Sequence, residues 1–175
     1  MKSKEIFELI KSKFPDDVVE LCEGSLPGPG REEPGHAGDS FIVVPAERIV
    51  EICDMLKTIE RFFFDCLSDL TAIDRKEHFE IVYQLFSYRH NHSVALKVKL
   101  PHDDAPHLKT MEGVWPVANW YEREVYDLFG VVFEGHSDLR RIMLPDDWVG
   151  HPLRKDYKEE EDYHGISTTR TPLLQ

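Results

Sequence analysis

Phe79-Glu80-Ile81-Val82-Tyr83-Gln84-Leu85-Phe86 and Ser93-Val94-Ala95-Leu96-Lys97-Val98-Lys99-Leu100, joined through Tyr88-Arg89-His90-Asn91-His92, decide the fold. Successive side chains of a strand point to opposite faces, so Phe79, Ile81, Tyr83 and Leu85 share one side of the first run. Val94, Leu96, Val98 and Leu100 share one side of the second, alternating with Ala95, Lys97 and Lys99. Two period-two runs with a short polar link predict an antiparallel hairpin. Lys97 and Lys99 mark its solvated face, and His90 and His92 are expected in solvent at its turn.

Upstream, Ile6, Ile10 and Phe14 recur at intervals of four with Leu9 beside them, an amphipathic helix over 2–14 that Pro15-Asp16-Asp17 ends. Val18–Cys22 suits a short strand. Gly24–Ser40 holds Gly24, Gly28, Gly30, Gly35 and Gly38 with Pro27, Pro29 and Pro34. That density of breakers predicts a flexible surface loop. It lacks the Walker spacing, and Glu32 and Glu33 would repel phosphate. Phe41–Val44 is a short apolar strand. Pro45 then opens a helix at its favoured first-turn position, with Ile49, Ile52, Cys53, Leu56 and Ile59 as the buried stripe. Phe62–Leu70 is expected as a strand and Thr71-Ala72-Ile73-Asp74-Arg75 as a turn. Past the loop Pro101–Pro106, helical character is expected near Leu108 and again from Pro116 to about Phe129, where Gly130 suits a C-terminal cap.

This order predicts an α+β fold, a small antiparallel or mixed sheet with helices packed on one face. The expected division is an α+β domain over 1–133 and an extended, partner-wrapping C-terminal arm over 134–175. The chain has 175 residues, enough to bury a real core, and 41% hydrophobic content, above the disordered class. A net charge of −12 argues against DNA or RNA, whose phosphates need clustered Lys and Arg. The longest apolar run, Phe41–Ala46, is far short of the roughly 18 residues that cross a bilayer. The start, Met1-Lys2-Ser3-Lys4-Glu5, is unlike a signal peptide, so a cytoplasmic protein is expected. Cys22, Cys53 and Cys66 are widely spaced and give no Cys-x-x-Cys, against a disulfide framework, a zinc ribbon or a ferredoxin-type cluster.

The other informative stretch is Asn119–Tyr157. It opens with Trp120-Tyr121-Glu122-Arg123-Glu124 and Asp127-Leu128-Phe129-Gly130, and closes with Asp138-Leu139-Arg140-Arg141-Ile142 and Gly150-His151-Pro152-Leu153-Arg154-Lys155-Asp156-Tyr157. On a helix Trp120, Glu124 and Asp127 fall on one face, and Arg123 can pair with Asp127 four residues on. Partly buried like charges need cations, and an Arg fork can grip a carboxylate with two hydrogen bonds. The arm is therefore expected to fold back so that Arg140 or Arg141 neutralises that face. Leu139, Ile142, Leu144, Trp148 and Leu153 are too few for a second core and suit anchors for a partner surface. Glu122, Glu124, Asp127, His136 and His151 are acid/base material for a free-standing hydrolase, but neither His-x-x-x-His nor a Gly-x-Ser-x-Gly elbow accompanies them.

These ordered blocks, with Phe133, Gly135-His136 and the earlier Leu70-Thr71-Ala72-Ile73-Asp74, resemble the 30-kDa subunit family of respiratory complex I. Its bacterial members are the C subunits of proton-pumping NADH–quinone oxidoreductase. The likeness covers about 43–157. Ser137 follows His136 where the family commonly has Pro, and 24–40 looks like an insertion. The resemblance implies a non-catalytic subunit of the peripheral arm, on the cytoplasmic side of the bacterial inner membrane, held there only through the complex. It implies no cofactor on this chain, with FMN, iron–sulfur clusters and quinone on partner subunits. The implied partners are chiefly the large quinone-site subunit and the terminal-cluster subunit. Trp120, Glu122, Arg123, Glu124, Asp127, Gly130, His136, Asp138, Arg140, Arg141, Trp148, His151, Pro152, Leu153, Arg154, Lys155 and Asp156 are the expected interface or structural signature. Related subunits serve complexes fed by coenzyme F420, ferredoxin or hydrogenases. Ending at Gln175, the chain is expected to be separate from the large subunit, to which it is fused in some bacteria.

Overall fold

The computed structural model describes residues 3–15, 17, 19–24 and 40–168. The expected loop over 24–40 therefore lies almost wholly outside the described residues, as does the end of the arm. The elements are α1 (Ser3–Lys13), β1 (Glu20–Cys22), β2 (Phe41–Val43), a 3-10 turn (Ala46–Arg48), α2 (Ile49–Thr58), β3 (Cys66–Asp74), β4 (His78–Ser87), β5 (His92–Pro101), β6 (His107–Lys109), α3 (Ala118–Phe129), β7 (Val132–Glu134), β8 (Asp162–Tyr163) and β9 (Ile166–Ser167).

The main sheet has the order β1-β2-β5-β4-β3. It is mixed: β2 runs parallel to β5 and the other pairs are antiparallel. The β4–β5 hairpin forms as expected, with Phe79 opposite Leu100, Ile81 opposite Val98 and Tyr83 opposite Leu96. These side chains join one core with Ile6 and Ile10 of α1, Ile49, Ile52, Cys53 and Leu56 of α2, and Val125 and Phe129 of α3. The far face of the hairpin carries Glu80, Gln84, Lys97 and Lys99, so the helices cover one face and water the other. On that wet face the Lys97 ammonium sits 3.8 Å from the Phe41 ring centre and 3.4 Å from Glu80.

Four expectations change. The stretch 71–75 is no turn: β3 continues to Asp74, pairing Thr71 with Val82 and Ala72 with Ile81. The strand begins at Cys66 rather than Phe62, and Phe62 and Phe64 are buried in the bend before it. Leu67 and Leu70 both point inward although they are three apart. A bulge between Leu67 and Asp69 resets the alternation, which a strict period-two reading cannot see. Leu108 lies on β6, parallel to β7, with α3 as the crossover between them. Its burial between exposed His107 and Lys109 is a strand pattern, but three residues are too few for periodicity to tell strand from helix. His92 is also not in solvent. It starts β5, lies edge-on to Phe64 at 4.8 Å, and burial holds its imidazole below the ordinary pKa.

The bulge makes a testable register. Leu70→Ala removes a fully packed side chain and is expected to lower unfolding stability by roughly 2–5 kcal/mol. Asp69→Ala, on the exposed side, is expected to change it by no more than about 0.5 kcal/mol. Denaturant melts of the two variants check this; the reverse ranking would put β3 in the other register.

Candidate partner-binding site

An α-helix leaves its last four carbonyls without partners inside the helix. At the end of α3 the arm supplies nearly all of them. Gly130, left-handed at φ +77°, donates its N–H to Tyr126 O at 2.9 Å and turns the chain. Asp127 O accepts from Arg141 Nη1 at 3.2 Å and from His151 Nδ1 at 2.9 Å. Leu128 O accepts the Leu153 N–H at 3.1 Å, and Phe129 O lies 3.5 Å from Arg154 Nη1. A Cβ on Gly130 would fall 2.6 Å from the His151 ring, so glycine is needed there for space as well as for φ.

The Asp127 side chain is fully buried within the same knot. Its Oδ1 takes Arg141 Nη1 at 2.6 Å, and its Oδ2 takes the successive N–H groups of Ile142, Met143 and Leu144 at 3.1, 2.7 and 2.9 Å. Burial opposes the charge, but the Leu144 N–H, Arg141 and the other two amides outweigh it and hold the carboxyl below its ordinary pKa. Arg141 also reaches Gly150 O at 2.9 Å, tying one arm segment to the next.

Arg123 is nearly buried. It does not pair with Asp127; it donates to Arg140 O at 3.1 Å and Arg141 O at 3.4 Å, with its face 5.2 Å from Trp120. His136 Nε2 meets Asn119 O at 3.1 Å while its Nδ1 accepts the Asp138 N–H at 2.9 Å. Ser137 bonds through N–H and hydroxyl to Glu112 at 2.9 and 2.7 Å. Farther on, Arg154 donates to Asp103 O and Asp104 O at 2.8 and 3.0 Å, pairs with Asp156 at 3.2 Å and lies 5.0 Å from the Phe79 ring. Lys155 N–H reaches Asp74 Oδ2 at 2.7 Å.

Arg141, not Arg140, therefore meets the carboxylate, and the carboxylate it meets is Asp127 alone. Arg140 is exposed and paired with Asp138 at 2.9 Å, and Glu124 is solvated. Trp120 is mostly exposed on the same side as Glu124. Trp148 packs on Tyr163 at 5.2 Å, Pro152 is half-buried, and Lys155 projects into solvent. Sequence reasoning missed Asp74, Thr110 and Glu112. Asp74 is on the core-facing side of β3, opposite Phe79, with its other oxygen accepting the Lys76 N–H at 2.6 Å. Reading 71–75 as a turn hid that; an acid on an inward strand position was the available signal.

Asp74, His102 and Asp156 bring one possible ligand atom each within 4.8 Å of one another. Asp74 is already engaged by two backbone N–H groups and His102 Nε2, and Asp156 by Arg154, so hydrogen bonds account for the grouping.

Glu122 is another buried acid. Its oxygens take the Thr110 hydroxyl and the Met111 N–H, each at 2.5 Å. Burial dominates these bonds and pushes its carboxyl up to about 7. The charges of α3 thus do not converge on one point: Glu122 braces the β6 loop, Asp127 the arm, and Glu124 faces water.

The fold and this knot define a class: an α+β domain whose C-terminal tail is tied back onto the end of its last long helix. Residues 42–163 match the family described as respiratory-chain NADH dehydrogenase, 30 Kd subunit. The chain is 45% identical over 152 residues to the C subunit of NADH-quinone oxidoreductase from Geobacter metallireducens, covering 85% of each. It is 43% identical to the corresponding protein of Geobacter sulfurreducens, over 89% of this chain and 92% of that one. Its fold matches a chain of the membrane-bound sulfane sulfur reductase, an archaeal respiratory membrane complex, with TM-score 0.67 and 28% identity over 90% of this chain and 86% of that one. The chain belongs to the 30-kDa subunit family of respiratory-chain NADH dehydrogenase.

Glu122 gives a signed pH test. A carboxyl raised in the folded state is a stability contribution fully present below the unfolded value of 4.5 and lost as pH climbs towards about 7. Glu122→Gln keeps one acceptor for Met111 and one donor for Thr110 without titrating. Urea melts between pH 5 and 8 are expected to show the variant gaining on the wild type by up to about 3 kcal/mol. A gap independent of pH would mean that Glu122 is charged in the fold at every pH tested.

Proposed function

We propose that this chain is a non-catalytic structural and assembly subunit of the peripheral arm of a complex-I-type NADH–quinone oxidoreductase, braced against the large quinone-site subunit and the terminal-cluster subunit. The observation that carries this reading is an arm pinned by backbone N–H groups and by the Arg141, His151 and Arg154 side chains, yet apolar outward. Met143, Val149 and Leu153 are 62%, 59% and 52% exposed, and Trp120 beside them in the signature is 61% exposed. Ordering a tail costs conformational entropy, and large exposed apolar side chains on an ordered tail gain only when a partner covers them. The acids suited to hydrolysis are engaged in internal hydrogen bonds or solvated apart, which disfavours the free-standing enzyme.

The choice of partner draws on a relative. Nitrosospira multiformis carries a C/D subunit of NADH-quinone oxidoreductase that is 38% identical to this chain over 91% of its length, and this match spans 30% of that protein. A chain fused to a second subunit in one organism is a natural neighbour of that subunit in another. No helix among the described residues is long and apolar enough to cross a membrane. Attachment on the cytoplasmic side, through the complex, follows from the reading. FMN, iron–sulfur clusters and quinone then belong to the partners. The equivalent subunit of a complex with another electron donor is favoured by the likeness to the sulfane sulfur reductase chain. The higher identity with the Geobacter proteins supports NADH.

The test is affinity isolation from gently solubilised membranes. Co-purification with brown, cluster-containing partners that reduce quinone with NADH is expected. Met143→Asp with Leu153→Asp is expected to lower that recovery several-fold while leaving the melting of the free chain unchanged. A colourless monomer that turns over a substrate alone would overturn the reading.

A further inference from the structure

One cleft of the molecule is unlike its surroundings in charge. It opens between the β3–β4 turn and the arm, measures about 490 Å³, and has Ile73, Phe129 and Leu153 among its lining residues. Lys76 and Lys155 stand on it from opposite elements, one on the turn and one on the arm. Both are exposed, and neither ammonium has an ion-pair partner among the described residues. Arg75 joins them, shared with Glu80 at 3.2 Å.

The geometry is built rather than incidental. Asp74 lines the cleft and accepts the backbone N–H of Lys76 at 2.6 Å and that of Lys155 at 2.7 Å. One buried carboxylate therefore fixes both backbones from which the two lysines project. Its own charge is met by those N–H groups and by His102, which hold it below the ordinary pKa against burial. Of the neighbouring acids, Asp156 is paired with Arg154 at 3.2 Å, and Glu77 follows Lys76 in the turn, exposed. In a chain of net charge −12, two unpaired ammonium groups beside an apolar lining are a local reversal.

We infer that this cleft receives an acidic segment of a neighbouring subunit, with an apolar side chain of that segment set against Ile73 and Leu153 and its carboxylates against Lys76 and Lys155. The inference deepens the subunit reading and rests on it. Charge complementarity selects the occupant. The chain as a whole carries a net charge of −12, so a cleft lined by lysines favours one register of an acidic segment as well as its affinity. Leu153 belongs at once to the cleft and to the exposed apolar side of the arm, so the segment continues the contact already proposed.

The test uses the intact complex isolated through a tag on this chain. Amine acetylation read by mass spectrometry is expected to be several-fold slower at Lys76 and Lys155 in the complex than in the free chain. Zero-length carbodiimide coupling is expected to join either lysine to Asp or Glu of another subunit. Lys76→Gln with Lys155→Gln is expected to abolish those couplings and lower recovery of the complex. A chain inside the complex whose two lysines acetylate at the free rate overturns the inference alone. So does coupling only to this chain's own carboxylates, or protection that disappears when anionic phospholipid is stripped. A chain recovered without partners overturns the subunit reading, and this inference with it.

Discussion

The end of α3 is a place where charge and unpaired carbonyls accumulate together. The Asp127 carboxylate is buried within the last turn, near the helix end that disfavours negative charge. Left alone, that arrangement would be unfavourable, because burial and the helix end both oppose the charge. Arg141, three successive N–H groups, His151, the Leu153 N–H and Arg154 meet it, and every one of them comes from the arm. The dependence is mutual. The arm has few buried apolar side chains of its own, and its small β8–β9 hairpin is only two residues a strand. Its path is set chiefly by polar contacts, with those at one helix end joined by ties at Arg123, Glu112, the Asp103 and Asp104 carbonyls and Asp74.

That dependence explains why the arm can present apolar side chains outward. A tail ordered by its own hydrophobic core would have to turn Met143 and Leu153 inward. A tail ordered through backbone N–H groups and polar side chains leaves them free. The same logic holds at the cleft, where Asp74 grips two backbones and the side chains of Lys76 and Lys155 remain available. Buried carboxylates thus lie on the domain side and exposed apolar side chains on the arm side.

The hairpin, the α2 stripe and the Gly130 cap were legible in the sequence because periodicity and φ preference are local. The fold-back of the arm was legible in outline, since an acid-rich helix followed by Arg pairs demands neutralisation. Which Arg, and which acid, was not: the outcome depends on three amides of 142–144, and backbone donors leave no mark on a sequence. Glu122 looked like part of a charged face, yet it is buried against Thr110 and Met111. The bulge at Ser68 and the short β6 were hidden for the opposite reason: each is a local pattern that only its neighbours in space make unambiguous.

Amide hydrogen exchange in the full chain, wild type against Asp127→Asn, addresses the knot most directly. The substitution keeps the shape of the side chain and removes the charge, at a cost of about 3 kcal/mol for a buried pair broken on one side. Slow exchange at Ile142, Met143, Leu144 and Leu153 is predicted in the wild type and fast exchange in the variant, with β4 and β5 protected in both. Equal protection of those four amides in the two proteins would refute this dependence, because the arm would then owe its order to something other than the end of α3.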